Sequence, residues 1–152
     1  MASTLVKIDV HLIFHVQSTG IVMHEEDLGR VFSYIGGVIR GLGGIAIEVG
    51  GRPDHIHILC SLPKTMALVD FVREVKAESS KWIKSLDQRY YNKFAWQEGY
   101  GAFSVSPSLL DRTVQYIRNQ AAHHRRMSFK DEYIKFLEVY GISFDERYVL
   151  SD

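Results

Sequence analysis

The chain of 152 residues has the length of one ordinary domain, and its 46% hydrophobic content is enough for a core, so we expect a single domain over 1–152. One cysteine, Cys60, excludes an internal disulfide and is typical of a reducing compartment. No apolar run approaches the ~20 residues of a membrane span, and the segment 1–7 lacks the pattern of a signal peptide. These features predict a cytoplasmic protein that does not associate with a membrane.

The 18 basic and 18 acidic side chains leave no net charge, which disfavours nucleic-acid binding because DNA-binding domains are usually basic. The charges are unevenly distributed, however. Five basic residues and no acidic residue lie between Arg112 and Lys130. This segment is either a phosphate-binding surface or the solvated face of one helix.

The first half of the chain predicts a strand, a helix and a hairpin. A run rich in β-formers indicates a strand over 7–16, and apolar residues at helical spacing indicate a helix over 25–40. Strands over 45–49 and 55–62 flank a turn over 50–54 that contains two glycines and a proline. A connection this short predicts an antiparallel hairpin.

The second half predicts a helix over 66–86, a strand over 94–106 that is broken or bent near Gly99 and Gly101, and two further helices over 107–124 and 129–140. Within the bent strand we assign Trp96 and Phe103 to the core. The β-α-β-β-α-β order followed by helices predicts an α+β fold. We expect a ferredoxin-like (split βαβ) antiparallel sheet with helices on one face and additional C-terminal helices.

Two histidines form the first chemical signal. His55 and His57 are separated by one residue on a predicted strand, so both side chains point to the same face, near the start of the strand, where a site can open to solvent. Two imidazoles on one face can share a metal ion, and zinc is one candidate. The alternative is a pair of histidines on an exposed strand face with no ligand.

The second signal lies on the third predicted helix. Tyr116 and Gln120 are four residues apart, which places them on one face beside an apolar stripe of Val114, Ile117 and Ala121. The amide oxygen of Gln120 is a hard ligand suited to Mg²⁺ or Mn²⁺. Spacing alone does not decide the third metal ligand, because His123 or His124 could take the place of Gln120. It also allows that Tyr116 and Gln120 have no chemical role.

Together these motifs resemble a known family. The chain is similar to the single-tyrosine transposases of the IS200/IS605 type, within the HUH endonuclease superfamily. The resemblance is carried by His55-Ile56-His57 after Arg52-Pro53-Asp54, by Trp96-Gln97-Glu98-Gly99-Tyr100, and by Tyr116-Ile117-Arg118-Asn119-Gln120 followed by His123-His124. It extends from about Lys7 to Tyr148.

The resemblance implies a role for each matching residue. His55, His57 and Gln120 are expected to bind a divalent metal, Mg²⁺ or Mn²⁺, and Tyr116 to be the nucleophile. The family acts as a homodimer on single-stranded DNA hairpins at the ends of its element, often with the tyrosine helix of one protomer completing the other's site. Cleavage and rejoining then proceed through a 5′-phosphotyrosine intermediate.

Four side chains are candidates for DNA contacts. Arg118, Arg125 and Arg126 can bind phosphates, and Tyr100 can stack on a base. Two other functions remain open at this point. One is a domesticated DNA-binding regulator of the same fold. The other is a small metal-binding hydrolase that uses His55, His57 and one of His123 or His124, with no role for Tyr116.

Overall fold

The computed structural model describes residues 3–18 and 20–151, so Met1, Ala2, Thr19 and Asp152 of the predicted domain over 1–152 lie outside the described residues. Two 3-10 turns, Glu25–Asp27 and Pro107–Leu109, lead into longer helices. The elements in chain order are β1 (Asp9–His15), α1 (Leu28–Gly41), β2 (Ile45–Arg52), β3 (His55–Ser61), α2 (Leu68–Leu86), α3 (Gln88–Tyr91), β4 (Gly101–Ser104), α4 (Leu110–Arg118), α5 (Gln120–His123) and α6 (Phe129–Val139).

The four strands form one antiparallel sheet in the order β2-β3-β1-β4. β2 and β3 pair as the predicted hairpin, and β1 lies between β3 and β4. This order confirms the predicted α+β fold with a ferredoxin-like arrangement. Among the described residues, no helix is both long enough and apolar enough to span a bilayer.

The sheet is buried on both faces, because all seven residues of β1 are inaccessible to solvent. Leu12 and Phe14 point into the larger core, where α1 and α2 pack. Ile13 points to the opposite face and packs with Phe129 and Leu137 of α6. The C-terminal helices therefore cover the second face of the sheet, which carries the odd-numbered side chains of β1 and β3.

The strand predicted over 94–106 is wrong in its first half. Only Gly101–Ser104 pairs as β4, and Trp96 makes a single bridge to Val16. The carbonyl groups of Gln97, Glu98 and Gly99 accept hydrogen bonds from Lys76 Nζ at 2.7, 3.0 and 2.6 Å. Because these carbonyls face an ammonium group instead of a neighbouring strand, the segment forms a loop. The core assignment of Trp96 and Phe103 is confirmed at 6% and 2% exposure.

The helix predicted over 107–124 is interrupted. It begins as a 3-10 turn, continues as α4, breaks at Asn119 and resumes as the short α5. Asparagine favours such a break because its side chain competes for backbone hydrogen bonds. The break changes the direction of the following residues, so Ala121 is exposed and the predicted apolar stripe ends at Ile117.

The position of α4 depends on a close approach between two backbones. Gly50 of β2 faces Ile117 of α4, and a Cβ atom at Gly50 would lie 2.7 Å from Ile117 Cγ2 and 2.9 Å from Ile117 O. Only glycine leaves room for this contact. Gly50 therefore sets the distance between α4 and the sheet, and with it the position of Tyr116.

Replacing Gly50 by alanine should push α4 away from β2, because a backbone oxygen cannot rotate out of the way. We expect Gly50→Ala to lower the free energy of unfolding by about 1–3 kcal/mol, measured by chemical denaturation. Gly29→Ala is the matched control, since a Cβ atom at Gly29 meets nothing within 4 Å. The control should be neutral or stabilising by roughly 0.5–1 kcal/mol. Equal stability of the two variants would contradict the contact.

Candidate active site

His55 and His57 lie side by side on β3, and both are fully buried. The hairpin turn that ends at Asp54 places His55 at the first position of the strand. Their cross-strand neighbours on β1 are His15 and Ile13. The prediction that both imidazoles share one face is confirmed. The expectation that the start of the strand opens them to solvent is wrong, because α4, α5 and α6 cover this face.

The other two predicted chemical residues reach the same place from the C-terminal helices. Gln120 is buried at the start of α5, and its Oε1 lies 2.9 Å from His55 Nε2. Tyr116, on α4, lies with its hydroxyl oxygen 3.3 Å from His123 Nε2. The structure thus brings the four predicted residues of the site into one cluster.

Glu132 of α6 lies at the centre of this cluster with 1% exposure. Its Oε1 is 3.0 Å from His57 Nε2, 3.2 Å from His124 Nε2 and 3.7 Å from His55 Nε2. Its Oε2 accepts hydrogen bonds from Gln120 Nε2 at 3.1 Å and from the Tyr116 hydroxyl. One carboxylate therefore contacts three imidazoles of the cluster with one oxygen, and the candidate nucleophile and the Gln120 amide nitrogen with the other.

Each of the two strand histidines also has a hydrogen-bonding partner at its Nδ1 atom. His55 Nδ1 lies 2.7 Å from Asp54 Oδ1, and His57 Nδ1 lies 2.8 Å from the Nε2 of buried His11. A histidine that donates from Nδ1 presents the lone pair of Nε2 on its opposite side. These partners therefore direct the Nε2 atoms toward Glu132 and Gln120.

The electrostatics favour neutral imidazole at the centre. Burial lowers the pKa of His57 to about 4, even though the hydrogen bond and charge of Glu132 act in the opposite direction. Burial, reinforced by the neighbouring carboxylate, raises the pKa of Tyr116 well above its ordinary value. Burial also opposes ionisation of Glu132, but its contacts with His57, Tyr116 and Gln120 outweigh burial and hold the pKa of the carboxyl group low.

The N-terminal part of α6 forms the roof of the cluster. The Phe129 ring stacks on the His55 ring, with centroids 4.3 Å apart and planes at 22°. Beside this roof a cavity of about 280 Å³ borders the Tyr116 ring and opens between α5 and α6. Lys135 and Phe136 are among its lining residues, so the cavity combines a cation with an aromatic surface. A group that enters it reaches the Tyr116 hydroxyl.

The arrangement fits a divalent metal ion. Four side chains, His55, His57, His124 and Glu132, each offer a ligand atom, and these atoms lie within 4.8 Å of one another. Bonds of ~2.1 Å in tetrahedral or octahedral geometry place neighbouring ligand atoms roughly 3.0–3.4 Å apart. The separations around Glu132 Oε1 and the 2.9 Å between His55 Nε2 and Gln120 Oε1 are close to this range.

The His55–Gln120 contact supports the same conclusion. If His55 donates from Nδ1 to Asp54, its Nε2 lone pair faces the amide oxygen of Gln120, and two acceptors then confront each other. The amide orientation is fixed because its nitrogen donates to Glu132. A proton or a metal cation between the two acceptors removes the repulsion.

The candidate DNA-binding residues lie outside the cluster. Arg118 is paired with Glu48 of β2, with Nε 2.9 Å from Oε1. Arg125 and Arg126 are exposed in the turn after α5. Tyr100 packs against the core on the α1–α2 side of the sheet, where Lys76 Nζ lies 5.5 Å from its ring centroid.

Sequence reasoning missed Glu132 and His11. Glu132 falls within the buried stripe of α6, between Phe129 and Tyr133, and an acidic residue in such a stripe is a detectable signal. His11 lies on β1 at an odd-numbered position, on the same face as Ile13. Its contact with His57 depends on strand pairing, which the local sequence does not specify.

Comparisons with known proteins relate this chain to a family of transposases. The family model described as "Transposase IS200 like" matches residues 4–120. The ISDra2 transposase TnpA of Deinococcus radiodurans is 27% identical over 124 residues, which cover 75% of this chain and 84% of that protein. The family match ends at Gln120, so Glu132 and α6 lie beyond it.

Two solved structures share the fold. A crystal structure of a transposase from Deinococcus radiodurans R1 has a TM-score of 0.62 at 21% identity, covering 79% of this chain and 95% of the other. The REP-associated tyrosine transposase bound to a REP hairpin has a TM-score of 0.58 at 16% identity, with coverages of 82% and 73%. At such low identity, these similarities show the common fold.

The contact between His11 and His57 yields a testable prediction. His11→Phe keeps an aromatic ring but removes the acceptor that orients His57, so Mn²⁺ affinity in calorimetric titration should fall by about 10–100-fold. His11→Gln, whose amide oxygen can replace the acceptor, should recover part of the affinity. Unchanged Mn²⁺ binding by His11→Phe would show that His57 does not need this partner.

Proposed function

The chain belongs to the IS200-like transposase family, and from this premise we propose that it cuts and rejoins single-stranded DNA through a covalent bond to Tyr116. The observation that carries the proposal is the convergence of Tyr116, His55, His57 and Gln120 on one buried cluster. Residues distant in sequence meet there in the combination that phosphoryl transfer to a tyrosine requires.

The proposed reaction is a transesterification. The Tyr116 hydroxyl oxygen forms a bond to a DNA phosphorus atom, and the bond between that phosphorus and the 3′ oxygen breaks. The phenolic proton is lost and the 3′ oxygen is protonated, which leaves a 5′-phosphotyrosine and a free 3′-OH. Attack by a 3′-OH on the phosphotyrosine reverses these steps and joins the strands.

The side chains around Tyr116 have separate tasks in this scheme. His55, His57 and Gln120 would hold Mg²⁺ or Mn²⁺, which supplies positive charge to polarise the phosphate and stabilise the charge that develops on it. Burial of both imidazoles excludes water from these ligand atoms. The cavity beside Tyr116 supports entry of the substrate, because Lys135 can pair with a phosphate and Phe136 can contact a base.

The proposed partner is single-stranded DNA at the hairpin ends of a mobile element. One relative with this fold was solved bound to a REP hairpin. In the present chain the exposed Arg125 and Arg126 are the best placed of the predicted phosphate contacts, whereas Arg118 would first have to release Glu48. Tyr100 would contact DNA away from the cluster, because its ring packs against the larger core.

The proposed compartment is the cytoplasm. Cys60 is a free, buried thiol, and burial raises its pKa to about 12. A thiol with so little thiolate at neutral pH is unreactive, which is consistent with a structural role in a reducing environment.

The main alternatives assign no chemistry to Tyr116. A metal-dependent hydrolase with His55, His57 and His124 as ligands is compatible with the cluster. A DNA-binding regulator is compatible with the fold. The contact between the Tyr116 hydroxyl and Glu132 favours the transposase reaction over both, since it would give this hydroxyl a position next to the candidate metal ligands.

Incubation with labelled single-stranded DNA tests the function. Oligonucleotides that cover the flanks of the gene should give a covalent protein–DNA adduct on a denaturing gel in the presence of Mg²⁺ or Mn²⁺. Tyr116→Phe should abolish the adduct and retain DNA binding. Tyr148→Phe, which changes a tyrosine of 63% exposure, is the matched control. Strand hydrolysis that persists in Tyr116→Phe would favour the hydrolase.

We further propose a homodimer in which each tyrosine serves the site of its own chain. The support is the packing of α4 on β2, which holds Tyr116 beside the histidines of the same chain. A mixture of Tyr116→Phe and His57→Ala proteins should therefore stay inactive in the adduct assay. Recovery of adduct in the mixture would show that the tyrosine helix is exchanged between protomers.

A further inference from the structure

The two oxygens of Glu132 face different groups. Oε1 lies 3.7, 3.0 and 3.2 Å from the Nε2 atoms of His55, His57 and His124. The groups near Oε2 are the Tyr116 hydroxyl, the Gln120 amide nitrogen at 3.1 Å and His123 Nε2 at 3.1 Å. The carboxylate thus contacts His55, His57 and His124 through one oxygen, and the candidate nucleophile, the Gln120 amide nitrogen and His123 through the other.

We propose that Glu132 is an anionic ligand of the divalent ion through Oε1 and a positioning residue for Tyr116 through Oε2. The inference rests on the proposed function for the role of Tyr116, while the ligand role stands on the cluster itself. It assigns to α6, which lies beyond the family match, a direct part in the site.

Charge supports the ligand role. Glu132 is buried with 1% exposure, and His57 Nε2 lies 3.0 Å from its Oε1. A buried carboxylate is costly unless charged or hydrogen-bonding partners compensate it. His55, His123 and His124 also face the carboxylate, and Lys135 lines the neighbouring cavity. A divalent ion held by the imidazoles would supply the compensation at Oε1.

The packing of α6 supports a fixed position for the carboxylate. Ser128 caps the helix by accepting a hydrogen bond from the Asp131 amide at 3.1 Å. Phe129, Tyr133 and Leu137 bury the helix against Ile13 of the sheet. Glu132 lies between these anchors, so its side chain enters the cluster from a helix held at both ends. A residue presented in this way can act as a ligand without a loss of order on binding.

Mn²⁺ titration of the full chain without DNA tests the ligand role. We expect Glu132→Gln to weaken Mn²⁺ binding by about tenfold or more, because an anionic ligand becomes a neutral amide. Glu138→Gln removes a carboxylate from an exposed position of the same helix and should bind Mn²⁺ like the wild type. Glu132→Asp restores the charge on a shorter side chain and should bind more tightly than Glu132→Gln. Equal affinity of Glu132→Gln and wild type would overturn the ligand role.

The infrared difference spectrum of the wild type gives a second test that needs no variant to fold. Addition of Mg²⁺ or Mn²⁺ should shift a carboxylate stretching band in the wild type and in Glu138→Gln. A wild-type spectrum with no carboxylate change would overturn the proposal. Both measurements omit DNA, so a failure of adduct formation with normal Glu132-dependent ion binding would count against the proposed function alone.

The rate of adduct formation at saturating Mn²⁺ tests the positioning role. Glu132→Gln should reduce kcat for adduct formation at least tenfold and leave KM for DNA within about twofold, since the phenol loses its charged acceptor while the DNA surface is unchanged. Tyr116→Phe should leave the Mn²⁺ affinity within about twofold, because it touches Oε2 and not Oε1. A wild-type kcat in Glu132→Gln at saturating Mn²⁺ would exclude the positioning role.

Discussion

The Glu132 carboxylate is buried at 1% exposure in contact with imidazoles, an amide and a phenol. Burial of such a charge costs several kcal/mol unless its oxygens are satisfied. The second face of the sheet meets this requirement with groups from two directions, namely β3 and the α4–α5 segment, around a carboxylate that α6 supplies. His57, one of these groups, is itself contacted by His11. The polar cluster therefore forms only when the C-terminal helices are docked on the sheet.

The two faces of the sheet have different physical characters. The face toward α1 and α2 is filled by aliphatic and aromatic side chains such as Leu12 and Phe14, whose packing needs no special geometry beyond complementary volume. The opposite face carries His11, His55 and His57 in a small area, where each polar atom needs a partner at hydrogen-bonding distance. Stability thus comes mainly from the first face. The second face contributes to a smaller apolar cluster with α6, and the rest of this face carries the polar side chains of the candidate site.

The ferredoxin-like order and four chemical residues could be predicted from the sequence, because strand alternation, helical spacing and the His55–His57 and Tyr116–Gln120 pairs are local patterns. Three features could not be predicted from such local patterns. The loop before β4 forms because Lys76, distant in sequence, binds its carbonyl groups. The contact of His11 with His57 follows from the register of β1 against β3. Glu132 enters the site only through the docking of α6, although its place in an apolar stripe marks it as unusual.

The helical segment that carries Tyr116 and Gln120 is broken at Asn119, between two residues whose side chains meet at one atom. In an uninterrupted helix, side chains four residues apart lie about one turn, or ~6 Å, apart and point in similar directions. Here the Tyr116 hydroxyl and Gln120 Nε2 both donate to Glu132 Oε2, while Gln120 Oε1 faces His55. The chain gives up helical hydrogen bonds at the break and gains charge-assisted ones to a buried carboxylate, which are stronger. The break in the helix therefore lies between two side chains that contact the same carboxylate oxygen.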